Sequence, residues 1–81
     1  MYINNEFLAN FLEKYVALEA QADRLEEKMD KAEAAGDDEK YKKLDHNQDR
    51  IISKMDGMTD VLMMLGYEIQ YQNHKPVIVM R

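Results

Sequence analysis

His46 stands beside Asp45 and three residues before Asp49, the one place in the chain where side chains of metal-ligating type gather. Asp45 and Asp49 are four residues apart, so a helix would carry both carboxylates on one side with the imidazole next to them. Such a set could offer a divalent cation two oxygens and a nitrogen. A rigid site needs at least one further ligand, and the apolar pattern of the surrounding helix leaves all three residues outside the core. A solvated charged surface is therefore expected here, with no bound metal. Nucleophilic chemistry has even less to work with. There is no cysteine, Ser53 is the single serine, and no glycine-rich phosphate loop occurs. His74 falls in an expected turn, and the acid pairs Glu26-Glu27 and Asp37-Asp38 are explained by a helix surface and a helix cap. Catalysis also needs a concave pocket that excludes water. No enzyme activity, catalytic residue or cofactor is expected.

The remaining chemistry is charge. Lys40, Tyr41, Lys42 and Lys43 form the sole basic-aromatic run, just after three acids. A net charge of −5 argues against binding a duplex through its phosphates, which calls for a basic face. The charge is also unevenly spread. Residues 19–50 hold eleven acids and seven bases, whereas residues 51–81 hold three of each and residues 1–18 carry only Glu6, Glu13 and Lys14. A nucleic-acid regulator, working by DNA mimicry or by weak binding at the lysine-rich turn, is the alternative function. Seven bases among eleven acids dilute the field that mimicry needs.

Two mirrored apolar seams must position all of this. Leu8, Phe11, Tyr15, Leu18, Ala22, Leu25, Met29 and Ala32 step alternately by three and four residues, and so do Tyr41, Leu44, Gln48, Ile51, Met55, Met58, Leu62 and Leu65. That is the spacing of a coiled-coil heptad. Taken from opposite ends, the two sets pair so that residue numbers always sum to 73, from Leu8 with Leu65 to Ala32 with Tyr41. An antiparallel helical hairpin follows, with its turn at Gly36-Asp37. Helix 1 is expected over about 4–35, opened by an Asn4 or Asn5 cap and an Ile3–Leu8 staple. Helix 2 is expected over 37–65, capped by Asp37 or Asp38 and continuous through Asp56-Gly57 because the seam keeps its phase there. The segment Ala-Ala-Gly-Asp-Asp-Glu-Lys-Tyr resembles the interhelical turn of many unrelated helical hairpins. Gln48 is the one polar seam residue; it either reaches solvent at the rim or fixes the register of the layer. After Gly66 the period becomes two: Tyr67, Ile69 and Tyr71 alternate with Glu68, Gln70 and Gln72, then Asn73-His74-Lys75 turns into a strand from Pro76 to Met80. The fold expected is mainly α: a long coiled-coil-like helical hairpin followed by a C-terminal β-hairpin at 67–80, all in one domain.

Apolar groups beyond the seam gather at the end away from the turn. Phe7, Leu12 and Val16 lie off it on helix 1; Gly57, Val61 and Met64 form a second stripe on helix 2, with Ile52 and Met63 on the other flank. Together with Tyr67, Ile69 and Tyr71 of the hairpin, the first six form the expected oligomer interface, most simply of a dimer with a four-helix layer. The tip, with Glu33, Asp37, Asp38, Lys40, Lys42 and Lys43, is the expected free surface for a protein partner. Function is thus expected to be that of a small adaptor, scaffold or regulator. No apolar run approaches the roughly 20 residues of a membrane span. The absence of cysteine and of a basic-then-apolar start make a cytoplasmic location the expectation.

Overall fold

A computed structural model describes residues 5–81. The Asn4 cap and the Ile3–Leu8 staple fall outside them. Two long helices, α1 (Asn5–Ala34) and α2 (Asp38–Met64), pack antiparallel and are followed by β1 (Tyr67–Gln72) and β2 (Lys75–Met80). All sixteen seam residues are buried or half-buried, and the only other sheltered positions on the two helices are Leu12, Glu19 and Thr59. The core is thin. Tyr15, Met29 and Ala32 are buried, but among the described residues only Leu62 is completely enclosed. The molecule measures 50 × 24 × 19 Å with a radius of gyration of 15.5 Å, against about 12 Å for a compact domain of this length. It is a rod two helices wide.

The turn between the helices is closed by backbone bonds. Gly36 takes φ 71°, its amide donates to the Glu33 carbonyl at 3.1 Å, and the Asp37 amide donates to Ala32 at 2.9 Å. This pair of bonds satisfies carbonyls that the end of α1 would otherwise leave open. Of the two candidate caps the chain uses Asp37, whose carboxylate accepts from the Lys40 amide at 3.1 Å. α2 then runs unbroken through Gly57 and stops at Gly66, which adopts φ 91°.

The β-hairpin turns on two residues rather than three. Asn73 and His74 both have positive φ, 54° and 67°, the twist that suits a two-residue connection. Lys75 consequently joins β2, opposite Gln72. Pro76 does not end the ladder because of its place in the register. The Arg81 amide donates to Gly66 at 3.0 Å, so the bonded pairs fall at alternate positions from there, and Pro76 opposite Tyr71 occupies an unbonded one. Its missing amide would have pointed outward. One face of the hairpin carries Tyr67, Ile69 and Tyr71 with their partners Met80, Ile78 and Pro76. β1 packs against α2 and β2 against α1, so the hairpin lies back on its own helices.

Candidate interaction surface

The hairpin covers one side of the helical pair. The Tyr71 hydroxyl donates to Glu19 Oε2 at 2.5 Å and lies 3.4 Å from the Tyr15 hydroxyl. Helical phase places Leu12, Glu19 and Thr59 on this same side. The hydrogen bond to the Glu19 carboxylate, helped by the one to Tyr15 and by partial burial, pushes the Tyr71 phenol well above its ordinary range. Its proton is what bonds this strand side chain to α1.

The opposite side is open. There a groove of about 620 Å³ runs between the helices, walled by Phe11, Ala17 and Leu18 of α1 and by Gly57, Met58 and Val61 of α2. Lys14 and Lys54 line it as well, and long amine side chains of this kind can lay their methylenes along an apolar wall while the charge stays wet. Nearer the tip a second hollow of about 380 Å³ is lined by Gln21, Arg24, Leu25, Lys28, Asn47 and Ile51. No acid lines either hollow, although the chain has sixteen acids to eleven bases. Glu13 enters only at a smaller hollow, of about 340 Å³, beside Asn10 and Lys14.

This sorting extends along the rod. Stepping by four and three along the open side of α1 gives Asn10, Lys14, Ala17, Gln21, Arg24 and Lys28; the matching stripe of α2 is Lys43, Asn47, Arg50, Lys54, Gly57 and Val61. These positions hold six cations and no acid. On the hairpin side the same steps give Leu12, Val16, Glu19, Asp23, Glu26 and Asp30 on α1, and Asp38, Lys42, Asp45, Asp49, Ile52, Asp56, Thr59 and Met63 on α2. They hold eight acids and one base. The sequence reads as a mixture of signs because neighbouring residues on a helix point to different sides; folding separates them.

Gln48 bridges the helices at the edge of the acidic side. Its amide nitrogen donates to the Ala22 carbonyl at 3.2 Å and to Glu26 Oε2 at 3.0 Å. The residue sits at the rim, half-buried, and its bonds cross from α2 to α1.

The residues expected to form one oligomer interface do not share one surface. Gly57 and Val61 wall the open groove, and Val61 is 49 % exposed. Phe7 is also partly exposed and its ring lies 6.2 Å from that of Phe11. Leu12 is half-buried and Val16 exposed on the hairpin side of α1, while Met64, 86 % exposed, continues the stripe of Gly57 and Val61 at the end of α2. Tyr67 and Ile69 are half-buried in β1, and Tyr71 is tied to Glu19. At the tip, Glu33, Asp37, Asp38, Lys40, Lys42 and Lys43 are all exposed. Asp37 is occupied as a cap, and Lys43 belongs to the cationic stripe. Among the described residues no group of three or more His, Cys, Asp or Glu is placed to hold a metal ion, and no helix is long and apolar enough to cross a membrane. The sequence alone does not mark the cations Lys14, Arg24, Lys28, Arg50 and Lys54 as site residues; their signal is the three-and-four spacing, which has meaning only once the open side is known. Compared with family models, curated proteins and solved structures, the chain matches none.

Proposed function

We propose that this chain is a non-enzymatic protein-interaction module whose working surface is the open side of the helical pair. The observation that carries this reading is the groove: a wall of Phe11, Leu18, Met58 and Val61 left uncovered in a molecule whose other side is covered by its own hairpin. Uncovered apolar surface with a polar rim is characteristic of docking sites. Gly57 supports the reading. A β-carbon built there meets nothing within 4 Å, so packing within the chain gives no reason for a glycine that costs the helix about 1 kcal/mol.

The experiment is a solution measurement on the intact chain and on Val61→Asp, a change at a position that is 49 % exposed. With a partner bound, the wild-type complex should be lost in the variant while its helical circular dichroism is kept. Retained binding in Val61→Asp would overturn the assignment of the surface. Self-association is a second reading, favoured by the concentration of exposed Val61, Met63 and Met64 near the end of α2. Light scattering across a range of protein concentrations tests it: a dimer mass that reverts to monomer in Val61→Asp supports it, and a concentration-independent monomer rules it out.

A further inference from the structure

We infer that the occupant of the open side is an acidic amphipathic helix from another protein, its apolar stripe entering the groove and its carboxylates meeting the cations of both margins. The inference rests on the groove being the working surface and goes further by fixing the chemistry of what binds. A helix laid between two others contributes a row of apolar side chains to the floor and exposes charged positions on either flank, as the positions beside a coiled-coil seam do. The floor here is apolar and continuous with the seam, and each flank is a stripe of cations. Lys14 and Lys28 are fourteen residues apart on α1, about 21 Å, so the cationic track matches about four turns of a partner helix. Ala17 and Gly57 stand at the same level on the two walls, and the absence of bulk there lets a third backbone come close.

Charge decides between occupants. A second copy using this same patch about a two-fold axis would bring the cationic stripes of one copy against those of the other, and like charges across an interface are a penalty. The acidic side of a second copy has the right sign, but its own hairpin is tied across that side at Glu19 and Tyr15 and leaves only the scattered Val16, Ile52 and Met63 exposed there, with no apolar row to enter the groove. A nucleic acid would answer the cations and not the floor, where the one ring in the groove wall, Phe11, is half-buried; single strands bind where rings are open for bases to stack.

Three 18-residue helical peptides test this, each with leucine at i, i+3, i+4 and i+7 repeats and with Glu, Gln or Lys at the flanking positions. Titration is followed by isothermal calorimetry and by amide chemical shifts of the labelled intact chain. The Glu peptide should bind at least tenfold tighter than the Gln peptide, weaken with salt, and shift the Gly57 amide; the Lys peptide should not bind. In Lys14→Glu/Lys54→Glu, both changed at exposed positions, four cations and two acids remain on the stripes, so the preference for the Glu peptide should fall severalfold; an unchanged preference would overturn the inference. Equal binding of Glu and Gln peptides would overturn the inference while leaving the groove as a docking site. A Val61→Asp-sensitive dimer with no peptide binding would overturn it in favour of a second copy. Preference for a single-stranded oligonucleotide of equal charge over the Glu peptide would overturn it in favour of nucleic acid. A monomer that binds none of these probes would overturn both the inference and the docking surface beneath it.

Discussion

Tyr71 shows how much one hydroxyl can decide. It joins the C-terminal hairpin to α1 across 52 residues of sequence, and it does so as a donor, so the bond exists only while the phenol keeps its proton. The folded chain holds that proton more tightly than the unfolded chain does, with its ordinary pKa near 10. The stabilisation is therefore complete below about pH 10 and is lost as the pH rises through the higher folded value. Urea denaturation as a function of pH should show this decline, and Tyr71→Phe should remove it while costing about 1 kcal/mol at neutral pH. Gly57 invites the opposite change. Since nothing stands where its β-carbon would be, Gly57→Ala should stabilise the free chain by about 0.5–1 kcal/mol. The same alanine should weaken peptide binding if a third backbone approaches there. A gain in stability with a loss in affinity would be hard to obtain from any residue whose role was structural alone.

At the level of elements, the ends carry the specificity. Asp37 satisfies an amide in the first turn of α2, and Asp37→Ala should cost about 0.5–2 kcal/mol in thermal or chemical unfolding. His74 sits at φ 67° without being glycine, and a residue with a β-carbon is strained in that region. His74→Gly should therefore stabilise the hairpin, by up to about 1 kcal/mol, provided the turn has two residues. A three-residue turn would give glycine no such advantage at this position. The seams were legible in the sequence because burial follows a local rule: three-and-four spacing in each arm, with a constant sum between arms. The hairpin was legible from its change of period. Its exact start on the second strand was not, because Pro76 looks like the first residue of a strand until the register shows its amide position facing outward. Which side of the helices the hairpin covers was also hidden, since that depends on Tyr71 meeting Glu19, a contact that no local pattern announces.

For the whole molecule, the consequence is two unlike sides. One is acidic and shielded near its base by the hairpin; the other is cationic, grooved and open. A net charge of −5 describes neither. Composition argues against a nucleic-acid duplex as partner, but it averages over two sides of opposite sign. The shape gives an independent check: solution X-ray scattering of a monomer should yield a radius of gyration close to 15.5 Å. A value near that of a compact domain, about 12 Å, would mean that the arms do not form a rod.

The constant sum of the seam has one more consequence, for the length of the rod. Residues 23–29 and 44–50 are matched heptads on the two arms, and removing both leaves every remaining layer with its partner. Gln48 and Glu26 would leave together, so neither would be stranded. The rod should shorten by about 10 Å with its base, groove and hairpin intact, whereas deletion from one arm alone would mispair every layer on one side of the cut. Length is thus adjustable in this architecture in whole heptads, independently of the surface near the base, and a chain built this way can hold a partner at a chosen distance from its tip.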